Sequence, residues 1–371
     1  MKLGERLLRR ILVGTGVEIN GNNPWDIQVQ DSRFFWRALL FGSLGFGESY
    51  VKGWWKCQEL DSMFQRLLSV DISNRIAFTI PVIISWLQSK LVNLQKGGRA
   101  FEVGKKHYDK GNKLYQYMLG KNWTYTCAYF EKTNCLDTAQ EFKLDLVCKK
   151  LGLKRGQTVL DIGCGWGSFA HWAATRYGVK VVGVTVSEEQ AKFARTLCKN
   201  LPVVIILQDY RDIHGSFDHV VSLGMFEHVG SKNYQTYMKV VHRVLKPNGL
   251  FLLHTIGSPT TTTIPDPWMS KYIFPNSKVP SLREIHTAAE GLFTTKDLHE
   301  FGHYYDHTLM AWYSNFTSHW NELKEIYTNE FFLMWSYYLL ACAGNFRAGK
   351  LQLWQVVFSR NQDNVSYTSM R

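Results

Sequence analysis

The sequence predicts an α/β fold: a mostly parallel sheet with helices on both faces, preceded by a small, mainly helical domain. Three observations lead there. Short β-branched runs alternate with amphipathic stretches from about residue 145 onward. Those runs are apolar on both faces, as strands covered by helices on each side must be. Residues 1 to 95 instead carry helical spacing, and Lys96-Gly97-Gly98-Arg99 reads as the connector after them.

At the N-terminus, Leu3, Leu7, Leu8, Ile11 and Leu12 form one apolar stripe beside Arg6, Arg9 and Arg10. An aromatic segment punctuated by Gly42, Gly45, Gly47 and Gly53 follows. The run Ile76 to Leu87 is short and broken by Pro81, so it reads as a buried or interfacial helix. Strands are expected at Thr158–Ile162, Val179–Val184, Val203–Leu207, His219–Leu223 and Leu250–His254. Glu188–Lys199 is a helix with Ser187 as its N-cap. After Thr255 the alternation breaks. Residues 257 to about 300 are rich in Pro, Thr and Gly, and aromatic-rich helical spacing then runs to Leu340, before a last strand at Leu351–Ser359. Residues 257–345 therefore read as an insertion over the strand ends, placed to roof a cavity.

Composition narrows the function. The 371 residues are 45% hydrophobic and 20% charged, which excludes a disordered chain. No run of about 18 uncharged apolar residues is present, and the first 14 residues are too charged for a secretory signal, so a cytosolic chain is expected. Seven cysteines without a CxxC pair indicate reduced thiols, with neither a disulfide framework nor a zinc site. The net charge is +12. Between Arg75 and Lys121, nine basic residues face only Glu102 and Asp109. That excess suits a solvated face or an anionic surface, and the 13 Trp and 18 Tyr favour lipid headgroups over nucleic acid. No nucleic-acid-binding motif is found.

The chemistry concentrates at the ends of the expected strands. Asp161-Ile-Gly163-Cys164-Gly165-Trp166-Gly167 follows the first strand and opens a helix. Its glycines permit a tight turn and close approach of a ligand to backbone N–H groups. The GxGxG spacing departs from the dinucleotide GxGxxG pattern. With Asp161 two residues before the first glycine, it resembles the first motif of Rossmann-like, class I S-adenosylmethionine-dependent methyltransferases, in which that acid faces the methionine end of the cofactor. The second strand ends without an acid for ribose hydroxyls, which leaves Thr185 and Gln190 as neutral hydrogen-bonding groups, with Ser187 beside them in the expected cofactor-binding set. Gln208-Asp209-Tyr210-Arg211 follows the third strand, where Asp209 can accept from an adenine amino group and Tyr210 can stack. Glu227 and His254 are ionisable groups at the next two strand ends, suited to acid–base work or to plain structural hydrogen bonding.

Matching stretches run in order along the whole chain: Gly42 to Trp55, Gly104 to Asn112, Tyr125 to Phe130, Leu160 to Gly167, Leu207 to Asp212, Met225 to Gly230, Leu253 to Gly257, Tyr272 to Asn276, Ala341 to Arg347 and Leu353 to Val357. On these the chain resembles the bacterial cyclopropane-fatty-acyl-phospholipid synthases. The resemblance implies methylene transfer from S-adenosylmethionine to a cis double bond of a phospholipid acyl chain. A carbocation forms and is deprotonated by bound bicarbonate. It implies bicarbonate ligands at Cys127, Glu227, His254, the Ile256 backbone and Tyr305, with Tyr304 as the other choice. It further implies that Tyr108, Tyr125 and Thr126 wrap the methionine end, and it marks Cys342 as a candidate nucleophile, a role that direct transfer to an alkene does not need. The expected setting is the inner face of the cell membrane, with anionic phospholipid as substrate and docking surface and a homodimer left open. A lipid methyltransferase that stops at a methyl branch and a related small-molecule N-methyltransferase are the alternative enzymes. A basic membrane- or nucleic-acid-binding protein is the non-enzymatic one.

Overall fold

The alternation after residue 145 produces a seven-stranded sheet. In the computed structural model, which describes residues 3–70, 112–262 and 265–371, its strands are β1 (Thr158–Ile162), β2 (Lys180–Thr185), β3 (Val203–Leu207), β4 (Phe217–Leu223), β5 (Leu245–Gly257), β6 (Phe293–Glu300) and β7 (Gln352–Arg360). Their order is β3-β2-β1-β4-β5-β7-β6. The first five are parallel, and β7 runs antiparallel between β5 and β6. The order reverses between β1 and β4, so a crevice opens at their carboxyl ends.

The two-residue period of each strand sorts its side chains onto two cores. Leu160 and Ile162 of β1, Phe251 and Leu253 of β5, and Val356 and Phe358 of β7 join the cluster beneath helix Tyr234–Val244. Val159, Leu250, Leu252 and Val357 face the opposite cluster, under helices Leu136–Lys150 and Ser168–Tyr177. Ser187 caps helix Glu188–Leu197 by accepting from the Gln190 N–H, as its sequence predicts.

The chain packs as two units. One collects Met1–Asn93, Thr263–Pro275 and Tyr305–Leu351; the other collects Leu94–Thr262, Asn276–Tyr304 and Gln352–Arg371 and holds the sheet. The stretch 257–345, expected as one insertion, is thus divided. Its middle contains β6, which the sequence pattern does not reveal. Phe293–Glu300 buries only Phe293 and Asp297, so this edge strand lacks the continuous apolar signature of its neighbours.

The first unit is mainly helical. Helices Leu3–Leu12, Arg33–Val51 and Leu60–Ser69 surround an aromatic core in which Trp55 meets Phe34, Phe46 and Tyr50. Gln28–Val29 pairs with Trp55–Lys56 as a short ladder. Helix Asn329–Arg347 crosses Leu60–Ser69 at Gly344, where an added Cβ would stand 2.6 Å from Phe64 Cβ and 2.7 Å from the Asp61 carbonyl. Arg347 then bridges Asp61 and Asp306 at 2.7 and 2.8 Å. The basic segment 75–121 and the helix expected at Ile76 to Leu87 lie mostly or wholly outside the described residues, as does Tyr108. Among the described residues, no helix is long and apolar enough to cross a membrane.

Close packing at the end of β5 gives a direct test. A Cβ on Gly257 would stand 1.9 Å from the Trp354 ring on β7. Gly257→Ala should lower unfolding stability by about 1–3 kcal/mol. Denaturant unfolding measures this, and an unchanged midpoint would contradict the packing.

Candidate active site

At the carboxyl ends of β1, β2 and β4 lies a cavity whose floor is the turn after β1. Gly163, Gly165 and Gly167 all take left-handed φ angles of +83°, +55° and +87°, which side chains resist. Their surroundings differ. An added Cβ at Gly163 would meet Met225 at 2.7 Å, and one at Gly167 would meet Ala194 Cβ at 2.9 Å. At Gly165 it would find nothing within 4 Å. Gly165 is therefore the glycine that keeps space open, and Gly167 is a packing residue that does not line the cavity.

Most of the expected cofactor residues converge here. Tyr125, Thr126, Asp161, Gly163, Cys164, Gly165 and Trp166 line the cavity, as do Thr185, Gln190, Gln208, Asp209, Tyr210 and Arg211. Ser187 does not; its side chain serves the helix cap. Thr185 Oγ1 donates to Gln190 Oε1 at 2.9 Å, which joins the two neutral groups at the end of β2. Asp209 accepts from the Arg211 N–H and pairs with its guanidinium at 2.7 Å, so Arg211 orients the carboxylate proposed for an adenine amino group. The Tyr210 ring packs into the core against Tyr237, 5.1 Å between centroids, and also lines the cavity. Trp123, Lys143 and His228 also line it, and the sequence motifs do not single them out. Trp123 takes a left-handed φ of 50° and lies 4.1 Å from the Phe193 ring. Lys143 carried a legible signal: Leu136, Ala139, Gln140, Lys143, Leu144 and Val147 form the buried stripe of one helix, and a lysine in that register is unusual.

Asp161 is fully buried, and its Oδ2 meets no hydrogen-bond partner. Burial pushes its carboxyl up and the Lys143 ammonium down, while the opposite charge of each partly offsets the other's shift. The open Gly165 face, the unpartnered Asp161 oxygen and the neutral groups at the end of β2 fit the adenosyl and amino-acid parts of S-adenosylmethionine.

A second polar group assembles at the end of β5. Register pairs Leu223 of β4 with His254, and the Gly224 N–H donates to the His254 carbonyl at 2.9 Å. Glu227, just beyond β4, accepts the Ile256 N–H on Oε1 at 2.6 Å, and its Oε2 has no partner. The backbone N–H of Ile256 is thereby engaged by Glu227. Burial pushes the Glu227 carboxyl up to about 7, against hydrogen bonds that favour its ionised form. His254 is buried, and burial followed by the Lys143 and Lys150 charges holds it well below the usual histidine range. Its Nδ1 lies 3.3 Å from the Gln355 amide nitrogen. In this orientation of Gln355 the ring's proton sits on Nε2, which has no partner. Cys127 is fully buried, with its thiol 3.3 Å from the Ala128 carbonyl and within the electrostatic reach of Lys143. Cys127, Glu227, His254 and Ile256 all belong to the sheet unit.

Tyr304 also belongs to that unit, with its ring 5.4 Å from Tyr129 and its hydroxyl within electrostatic reach of Cys127. Tyr305 lies in the other unit, stacked on Phe346 at 4.5 Å. Cys342 lies there too, and burial raises its thiol far above the ordinary range, the reverse of what activates a nucleophile. No cluster of three or more metal-ligating side chains occurs among the described residues.

The strand order and the glycine-turn cavity define the fold class of S-adenosylmethionine-dependent methyltransferases. Residues 95–356 match the family described as mycolic acid cyclopropane synthetase. The chain is 51% identical to the cyclopropane-fatty-acyl-phospholipid synthase of Escherichia coli K12 over 97% of its length and 94% of that protein. It resembles the solved cyclopropane synthase MmaA2 of Mycobacterium tuberculosis, 31% identical with a TM-score of 0.67, over 70% of this chain and 97% of that one. The cyclopropane synthase CmaA1, solved with S-adenosylhomocysteine and CTAB, is 30% identical with a TM-score of 0.66, over 70% of this chain and 98% of that one. The chain belongs to the cyclopropane synthase family of S-adenosylmethionine-dependent methyltransferases.

The buried carboxyl has a measurable consequence. Native Glu227 binds its proton more tightly than the unfolded chain does, so stability falls as pH rises from about 4.5 to about 7. Glu227→Gln should stabilise the protein by up to about 3 kcal/mol above pH 7 and by little below pH 4.5. Chemical denaturation across that range checks it; a difference independent of pH would contradict the raised carboxyl.

Proposed function

We propose that the protein is a cyclopropane-fatty-acyl-phospholipid synthase, converting a cis double bond of a membrane phospholipid acyl chain into a cyclopropane ring. The observation that carries this reading is the extent of the identity to the E. coli synthase. It spans both units, whereas the mycobacterial synthases cover only 70% of the chain.

Closing the ring requires loss of a proton from the newly transferred methyl while positive charge rests on the acyl chain. When bound, S-adenosylmethionine supplies the electrophilic methyl and bicarbonate a base. The side chains at the end of β5 suit an anion of that size. Neutral His254 offers an Nε2–H, Glu227 near its midpoint at neutral pH offers a hydroxyl from Oε2, and Lys143 and Lys150 add positive potential. Cys127 completes the proposed set, and of the two tyrosines the resemblance implies, Tyr304 belongs to the same unit and lies within electrostatic reach of Cys127. Glu227 orients the site through Ile256 rather than taking the proton. Keeping the cation from water requires an apolar, aromatic enclosure, and Tyr129 and Phe301 begin one beside His254.

The N-terminal unit is proposed to dock on anionic lipid. Leu3, Trp36 and Leu40 are 62%, 47% and 46% exposed, and Arg6 and Arg10 are exposed on the same helix as Leu3. Gly4 abuts the Phe35 and Trp36 side chains, so the two helices meet at this apolar patch. Indole and leucine side chains enter the headgroup region while each nearby cation contributes roughly 1 kcal/mol.

Incubation with labelled S-adenosylmethionine and vesicles of cis-monounsaturated phosphatidylglycerol tests the reaction. The expected product is a lipid heavier by one CH₂ that retains its hydrogen deficiency; unaltered lipid would refute the reading, and a saturated methyl branch would favour the alternative. His254→Ala should lower kcat at least about 100-fold with little change in KM for the donor. Trp36→Ser with Leu40→Ser should weaken vesicle co-sedimentation, and binding to the parent protein should fall with salt. Binding indifferent to both would remove this patch from the docking account.

A further inference from the structure

The cavity at the carboxyl ends of β1, β2 and β4 is lined by two buried groups of opposite charge, Lys143 and Asp161. Lys143 is fully buried, lines the cavity, and donates from Nζ to Thr126 Oγ1 at 2.8 Å. Thr126 is itself fixed, since its methyl packs where a Cβ on Gly224 would stand, 2.6 Å away. Asp161 lines the same cavity and leaves Oδ2 unpartnered. The two residues feel each other electrostatically, yet they form no ion pair within 4.0 Å. Two buried charges left apart in a poorly hydrated site are costly, and an intervening ligand carrying one charge of each sign neutralises both.

We propose that Lys143 is a binding residue for the donor's amino-acid end, pairing its ammonium with the α-carboxylate while Asp161 receives the α-ammonium. This rests on S-adenosylmethionine being the donor. The α-amino acid group is the part of that molecule with adjacent opposite charges. The pair of protein charges also fixes its orientation, because exchanging carboxylate and ammonium would place like charges together. Thr126 holds the lysine in place through its hydroxyl, and the N–H groups of the glycine turn, which lines the same cavity, supply the remaining donors that a carboxylate accepts.

Isothermal titration of the full chain with three ligands separates this role from a structural one. S-adenosylhomocysteine carries the whole amino-acid end, its decarboxylated analogue lacks only the carboxylate, and 5′-methylthioadenosine lacks both charged groups. The parent protein should bind the decarboxylated analogue at least about tenfold more weakly than S-adenosylhomocysteine. Lys143→Met should abolish most of that difference and leave 5′-methylthioadenosine affinity within about twofold, while Lys143→Arg retains most of it. Equal affinity of the parent for S-adenosylhomocysteine and the decarboxylated analogue would overturn the proposal even if Lys143→Met failed to fold. So would an equal loss for all three ligands in the variants, which would mark Lys143 as a fold residue. Failure of the parent to bind S-adenosylhomocysteine at all would instead refute the donor assignment.

Discussion

Desolvation of ionisable groups at the carboxyl ends of the strands is the constraint on which the site depends. Lys143, Asp161, Glu227 and His254 are all buried, and burial is the largest cause of shifted protonation in each. In water these groups would be screened and ordinary. In the interior, a neutral histidine can donate, a carboxyl can hold its proton near neutrality, and an isolated ammonium projects its charge onto neighbours. The stability lost in burying Glu227 and Asp161 is the counterpart of a site prepared for charge.

The fold creates this condition through register. Leu223 pairs with His254, and Gly224 donates to the His254 carbonyl, so the turn carrying Glu227 leaves β4 beside the end of β5. Glu227 then holds Ile256, and Gln355 of β7 reaches His254 from the next strand. The antiparallel β7 covers β5, which would otherwise be an exposed edge. On the other side of the reversal point, the turn after β1 keeps Gly165 clear. The cavity and the buried polar cluster therefore arise from adjacent strand ends, with Lys143 in electrostatic contact with both.

Much of this was legible in the residues. β-branched runs located six of the seven strands, the five parallel ones and the antiparallel β7, because a strand covered on both faces is apolar throughout. Asp161, the glycine turn, Thr185, Gln190 and Asp209 were legible because a strand end followed by a helix start fixes where a ligand can lie. β6 was hidden because it is a half-polar edge strand. Lys143 was hidden because its meaning comes from contacts with Thr126 and Asp161, distant in sequence, although its place in an apolar helical stripe marked it. Gly167 and Ser187 were read as ligand groups because they sit inside the right motifs, yet one meets Ala194 and the other caps a helix. Spacing identifies a motif; it does not tell a wall residue from a packing residue within it.

On the proposed reading, the buried groups at the end of β5 hold a small anion beside the cavity. Titration of the protein with carbon-13 bicarbonate, followed by carbon NMR, tests it most directly. The parent protein should show a saturable bound signal that disappears in His254→Ala and weakens in Cys127→Ala. A parent protein with no bound signal, or one whose signal is indifferent to both substitutions, would contradict it.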